Sequence, residues 1–285
     1  YKNCRGLIGA TASIAWNKKH DKTYELITYR KKNDWGKERF VDDSSVKEID
    51  NICPSTFDNN DYENNHNRLV PSSSCPVLYG IRGDDKKELP VAKSLIKSEK
   101  ADSWLIFETN QGTDDHLQRK DISEINPYES VINEGVICKS PRIIKGGHDI
   151  FTIQDSTGLI DCAAYEPTKQ FRKIIRELMV GDVVEVYGGV RRKPLTINIE
   201  KIKIKYLKRQ FEKIENPVCP KCKKHMKSKG KNQSYKCKAC GTKSDKPLVI
   251  ERERNINIDD FYEVPVCARR HLSRPLKREK SHNTF

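Results

Sequence analysis

Short apolar runs broken by turn residues set the pattern between Ser130 and Leu207. Val131 to Ile137, Asp149 to Gln154 and Leu159 to Tyr165 read as three strands, with Asp155-Ser156-Thr157-Gly158 turning the second into the third. Glu166-Pro167-Thr168 opens a helix on which Phe171, Ile174, Ile175 and Leu178 fall at helical spacing, and Gly181-Asp182 ends it. Val183 to Val190 and Leu195 to Leu207 supply two more strands, and the glycine pairs Gly146-Gly147 and Gly188-Gly189 read as barrel turns or bulges. Five strands with a helix between the third and fourth is the order of an OB-fold, expected over residues 129–208. A different small barrel serving as a spacer is the other reading of that order. Upstream, residues 1–128 alternate helix and strand signals: a helix over Gly6 to Trp16, strands over Tyr24 to Tyr29, Cys75 to Ile81 and Trp104 to Glu108, and a helix over Glu88 to Ile96. That alternation predicts an α/β or α+β region, so the chain is expected to be a multidomain α+β protein.

Downstream of the barrel the pattern changes from apolar runs to cysteine pairs. Cys219-Pro220-Lys221-Cys222 and Cys237-Lys238-Ala239-Cys240-Gly241 are zinc-knuckle sequences, and the interval between them suffices for two short strands, so a zinc ribbon with a tetrahedral, structural Zn²⁺ is expected over 215–245. From Val190 to Lys243 there are 18 Lys and Arg against 3 Asp and Glu, a net of +15 beside +14 for the whole chain. A block so charged repels itself unless it meets a polyanion, which points to nucleic acid. Arg191, Arg192, Lys193, Lys221, Lys224 and Lys227 are the candidate contacts, joined by Arg269 and Arg270 from residues 246–285, expected as a basic tail. Tyr165 and Tyr187, on predicted strands, read either as barrel core or as stacking platforms for bases.

The remaining cysteines, Cys4, Cys53, Cys75, Cys138, Cys162 and Cys267, follow no pairing pattern, which suits a reducing cytoplasm. No apolar run approaches the length of a membrane span, and no secretory signal is visible. The chain opens at Tyr1, from which a missing N-terminal part is expected.

Three polar clusters follow strands of the N-terminal region. Thr56-Phe57-Asp58-Asn59-Asn60-Asp61 brings two carboxylates that suit Mg²⁺ or a cationic substrate. Gly80-Ile81-Arg82-Gly83 sets a guanidinium beside flexible backbone, which suits a phosphate. Phe107-Glu108-Thr109-Asn110-Gln111-Gly112-Thr113-Asp114-Asp115-His116 is the densest run of side-chain donors and acceptors in the chain. Each cluster also reads as a set of turn formers.

Together these segments resemble a known family. Arg5-Gly6-Leu7-Ile8-Gly9-Ala10, Tyr24-Glu25-Leu26-Ile27, the three clusters, Gly146-Gly147-His148, Cys162-Ala163-Ala164-Tyr165-Glu166-Pro167-Thr168-Lys169, the knuckles, Tyr262-Glu263-Val264-Pro265 and Ala268-Arg269-Arg270-His271-Leu272 look like archaeal tRNA 2-agmatinylcytidine synthetase. The resemblance runs nearly end to end. It implies a ferredoxin-like or kinase-like N-terminal region and an ATP-dependent ligase that activates the C2 carbonyl of the wobble cytidine in a minor isoleucine tRNA with a CAU anticodon, so that agmatine can attack that carbon. It also implies that Asp58, Asp61, Glu108 and Asp114 act on Mg²⁺, ATP or agmatine, and that Gly80, Arg82, Gly83, Thr109, Asn110, Gln111 and Gly112 hold the nucleotide. The family opens with a Gly-Ile-Asp-Asp-Thr-Asp segment without counterpart here, so the chain is expected to be about the C-terminal two thirds of that length. The rival reading is a non-catalytic RNA-binding module in which barrel and ribbon are the whole function.

Overall fold

A computed structural model of the 285-residue chain describes residues 5–16, 21–230, 233–244 and 246–282. In the N-terminal region four strands pair in the order Thr56–Phe57, Val77–Gly83, Thr23–Arg30, Ala101–Thr109, every ladder antiparallel. Alternation along Thr23–Arg30 turns Leu26 toward the helices, in register with Ile81 on one side and Ile106 on the other, and leaves Glu25 and Ile27 on the opposite face. The helices Asp43–Ile52 and Glu88–Leu95 cover the first face with Val46, Ile49, Leu89 and Ala92. Burying Val46 or Ile49 there contributes roughly 1.5–3 kcal/mol each. An antiparallel sheet with helices on one face resolves the α/β or α+β expectation in favour of α+β.

The Asp43–Ile52 helix was not anticipated, although its start is well marked. Asp42 accepts from the amides of Ser44 and Ser45, and Val46 and Ile49 follow one turn apart on the buried face. The helix predicted over Gly6 to Trp16 is present as Arg5–Ala15, with Leu7, Ile8 and Ile14 exposed.

The barrel follows the expected order. Ser130–Ile144, His148–Gln154, Leu159–Ala164, Val183–Arg191 and Thr196–Tyr206 form one sheet that closes where Leu159–Ala164 pairs in parallel with Thr196–Tyr206. Val131, Phe151, Ile153, Cys162, Val184, Val186 and Ile197 fill it, and the helix Phe171–Arg176 closes one end with Phe171 and Ile175. The helix is shorter than its apolar spacing suggests because Glu166–Thr168 forms a separate 3-10 turn. A Cβ on Gly188 would lie 2.1 Å from the Asn198 carbonyl oxygen, where the Val183–Arg191 ladder slips register, so the strand bends only with glycine there. Tyr187 lies against Phe261, ring centroids 5.0 Å apart, and its hydroxyl donates to Glu185.

Beyond the barrel, Phe211–Glu215 leads out to the ribbon and Leu248–Glu251 returns beside it, antiparallel. Residues 246–282 are not a free tail. Phe261–Glu263 adds a strand to the barrel against Thr196–Tyr206, and the following strap, 264–278, crosses to the N-terminal sheet. The basic composition of this stretch hid the reason: Arg269 and Arg278 are themselves buried, each against a carboxylate of the other domain instead of solvent.

Candidate functional site

In the ribbon, the Lys223 amide donates back to the Cys219 carbonyl and the Gly241 amide to that of Cys237, so each knuckle turns tightly enough to aim two sulfurs one way. The four Sγ atoms lie within 4.8 Å of one another, with Cys219 to Cys240 at 3.4 Å and Cys222 to Cys237 at 3.3 Å. A tetrahedron with Zn–S of about 2.3 Å has edges of about 3.8 Å, so the donor set fits a closed Zn²⁺ site with no position left for catalysis. Met226 and Tyr235 pack beneath it.

The candidate nucleic-acid contacts divide. Arg191, Arg192, Lys193, Lys221, Lys224, Lys227 and Arg270 are exposed, although Arg270 also reaches Glu200 at 3.1 Å. Arg269 is not a surface contact. Its side chain is 6% exposed and is shared between Asp58 and Glu263, because the strap turns it inward under the N-terminal sheet.

The second face of that sheet bears a cavity of about 770 Å³ lined by Glu25, Asp58, Arg68, Arg82, Arg269 and His271, among others. The strands supply Glu25 and Arg82, in register with each other and joined at 3.2 Å. The strap supplies Arg269 and His271, whose Nδ1 meets the Arg82 guanidinium at 2.8 Å. Burial pushes the Asp58 carboxyl above the ordinary aspartate range against the pull of Arg269 and Arg82, and burial likewise raises Glu263. Burial, reinforced by Arg82, holds His271 below the usual imidazole range, so it faces Arg82 as a neutral acceptor.

Of the four carboxylates expected to act together, only Asp58 reaches this cavity. Glu108 lines a separate cavity of about 620 Å³ with Thr109 and Asn110, against the Arg5–Ala15 helix. Asp61 is spent on structure: its oxygens accept from the Asn64 amide and side chain and from the Cys267 amide, which hold it below the ordinary range although burial works the other way. Asp114 takes the buried ammonium of Lys201 and the Arg274 amide. Among the described residues the four cysteines are the one group of three or more His, Cys, Asp or Glu arranged to hold a metal.

The expected phosphate loops also change character. Gly80 and Gly83 lie within the strand Val77–Gly83, its backbone committed to ladders on both sides, and Gly83 is packed against Leu89. In the loop after Ala101–Thr109, the amides of Gln111, Gly112, Asp114 and Asp115 donate to Thr109 Oγ1, the His271 carbonyl, the Leu272 carbonyl and Thr113 Oγ1. Those four donors are thus taken within the protein. Thr109 meets Thr23, and Asn110 reaches Asp115.

Sequence reasoning missed Glu25, which lines both cavities and ties the two clusters together: it accepts from Arg82 on one oxygen and from Gln111 Nε2 at 2.6 Å on the other. The one carboxylate in the strand Thr23–Arg30, between Tyr24 and Leu26, was the available signal. It also missed His271 as a cavity residue, and it missed the burial of Lys201 and Arg278, since lysine and arginine are rarely buried and their partners here lie far away in sequence.

Comparison with known proteins follows this layout. Residues 4–116 match a model of the TiaS FLD domain, 136–205 an OB-fold nucleic acid binding domain, and 216–256 the TiaS C-terminal zinc ribbon domain. The chain is 50% identical over 280 residues to the tRNA 2-agmatinylcytidine synthetase TiaS of Methanocaldococcus jannaschii, covering 97% of this chain and 65% of that protein. It is 44% identical over 289 residues to the Methanosarcina acetivorans synthetase, covering 99% and 67%. The structure of a TiaS complex with its isoleucine tRNA and ATP superposes with a TM-score of 0.83 at 43% identity, over 95% of this chain and 64% of that one. The chain thus spans about two thirds of the length of most of these relatives, and 54% of the synthetase of Methanococcus voltae. With the four-stranded α+β domain, the OB-fold and the four-cysteine ribbon in the same order, the chain belongs to the tRNA 2-agmatinylcytidine synthetase (TiaS) family.

Proposed function

We propose that this chain carries the cytidine-modifying and tRNA-holding portion of an ATP-dependent ligase that joins agmatine to C2 of the wobble cytidine in a minor isoleucine tRNA with a CAU anticodon, in the cytoplasm. The observation that carries the reading is the 50% identity over nearly the whole chain to a protein named for that activity. Geometry supports it at both ends. Exposed lysines of the ribbon and the Arg191-Arg192-Lys193 turn present cations toward a polyanion, while the mixed-charge cavity under the sheet suits a small ligand bearing cationic groups beside a phosphorylated base.

Replacing a carbonyl oxygen by an amine requires that oxygen to leave, and ATP with Mg²⁺ supplies a phosphoryl group that makes it a leaving group. The chain's own residues supply position and charge. Arg82, with Arg68 beside it, is placed to hold phosphate oxygens; Glu25 and Asp58, which with Asp43 are the carboxylates lining the cavity, would meet a guanidinium or ammonium. Glu108 and Asn110 would act from the neighbouring cavity, and Asp61 and Asp114 would shape the site without touching substrate. Among the described residues no helix is long and apolar enough to cross a membrane.

The test is incorporation of labelled agmatine into a CAU-anticodon isoleucine transcript by the enzyme at its full natural length. Label should enter only with ATP present and not into a transcript with uridine at the wobble position. Tight binding of the transcript without any incorporation would instead establish the non-catalytic RNA-binding module.

A further inference from the structure

Arg278 lies in the short helix Leu276–His282 at the end of the strap, and its guanidinium is 2% exposed. It meets all four strands of the N-terminal sheet, or the residues flanking them, at one end. Nε and Nη2 grip Asp84, just after Val77–Gly83, at 2.6–3.1 Å. Nη1 and Nη2 each donate to Asp21, just before Thr23–Arg30, at 3.0 Å. Nη1 also donates to the carbonyl of Gly112, in the loop that follows Ala101–Thr109. The guanidinium carbon stands 5.6 Å from the ring centroid of Phe57, in the remaining strand. Each of its three nitrogens is aimed at an acceptor from another part of the chain, a use of the planar fork that a lysine ammonium cannot reproduce.

The loop so held leads into the cavity. Gly112 is anchored by Arg278 through its carbonyl and by His271 through its amide; Gln111, next to it, donates to Glu25; Glu25 accepts from Arg82; and Arg82 projects into the 770 Å³ cavity. The strap that carries Arg278 is continuous with the barrel's added strand Phe261–Glu263. We propose that Arg278 is a positioning residue for the modification reaction: by fixing the 110–114 loop to the strap it sets Gln111, Glu25 and through them the Arg82 guanidinium, so that the cavity is in working order only while the C-terminal segment is docked. This rests on the ligase reading above.

The test uses the full-length enzyme with Arg278→Lys, which keeps charge and bulk, and reads two things. Hydrogen exchange at the Gly112 and Asp114 amides, which donate to the strap carbonyls of His271 and Leu272, needs no activity. The expected result is exchange about tenfold or more faster at both amides, with protection in the barrel strand Val183–Arg191 unchanged. Turnover of agmatine is expected to fall about tenfold or more in kcat while the KM for tRNA stays within about threefold. Unchanged exchange at the two amides overturns the proposal, as does faster exchange with kcat unchanged. If Arg278→Lys does not fold, Asp84→Asn, which removes one of the acceptors and keeps the guanidinium, is judged by the same two readouts. If the unmodified enzyme incorporates no agmatine, the ligase reading fails on its own, and the exchange comparison still decides whether Arg278 holds the loop.

Discussion

Lys201, fully buried in the barrel strand Thr196–Tyr206, extends its ammonium out of the barrel to Asp114 in the polar loop of the N-terminal domain. It also meets the Arg274 carbonyl at 3.2 Å and lies over the rings of Tyr187 and Phe261. One cation therefore joins barrel, loop and strap. Removing the carboxylate leaves a charge buried away from solvent, so Asp114→Asn is expected to destabilise the protein by about 3 kcal/mol, with Lys201→Met in the same chain recovering a large part. Urea denaturation checks it; an Asp114→Asn variant as stable as the parent would show that the pair contributes nothing.

Cysteine substitution in the ribbon should separate domains. Cys237→Ser is expected to abolish stoichiometric zinc and unfold the turns around the four cysteines, while the melting of the barrel, whose core shares no residue with the Cys219, Met226, Tyr235 and Cys237 cluster, stays within a few degrees. Metal analysis beside a thermal scan decides; zinc content unchanged in Cys237→Ser would remove the site.

Binding to RNA should weaken with salt according to the number of lysines that reach phosphates. About six contacts give a slope of log K against log[salt] of about −4, and replacing Lys221, Lys224 and Lys227 together by Gln should flatten it by about 2. A slope near zero in the parent would mean that the exposed basic face meets only solvent.

The pocket gives a pH dependence. Burial and Arg82 lower the pKa of His271 in the folded state, with Glu25 and Asp58 pulling the other way and Arg68 adding to Arg82. A depressed folded value means that the unfolded chain takes up the proton first, so this contribution is complete above about pH 6.5 and is lost as pH falls below it. The parent should therefore lose more of its thermal stability between pH 7.5 and 5.5 than His271→Asn does. Equal losses would show that the imidazole is not held neutral by the fold.

Arg82→Ala should lower agmatine incorporation about tenfold or more and raise the KM for ATP, with tRNA affinity within about threefold, because the guanidinium faces the cavity and the RNA-binding lysines lie elsewhere. Normal incorporation would dismiss the cavity as the place of reaction.

Local signals made much of this legible. The barrel's strands and its Asp155-to-Gly158 turn, the Glu88–Leu95 helix and the cysteine ligands rest on period, turn chemistry and spacing, each read over a short stretch of chain. What escaped depends on separation. Arg278 and Asp84 lie 194 residues apart, and Arg269 and Asp58 lie 211 apart. Nothing local distinguishes an arginine bound to such a partner from one in water. For the same reason Asp58, Asp61, Glu108 and Asp114 looked alike in sequence, and only the folded chain separates Asp58, which lines the 770 Å³ cavity beside Arg82, from Asp61, bound to the Cys267 amide, and Asp114, bound to Lys201.

The ribbon leaves the barrel through Phe211–Glu215 and comes back through Leu248–Glu251, with Phe211 opposite Glu251. Its two ends are thus a strand's width apart, and in chain order it lies between the last barrel strand and the strand that begins the strap. A module joined this way behaves as a peninsula. Because the two neck strands run side by side, any load the ribbon takes from a long ligand enters and leaves the barrel at one place, while the strap whose residues line the cavity begins on the far side of that neck.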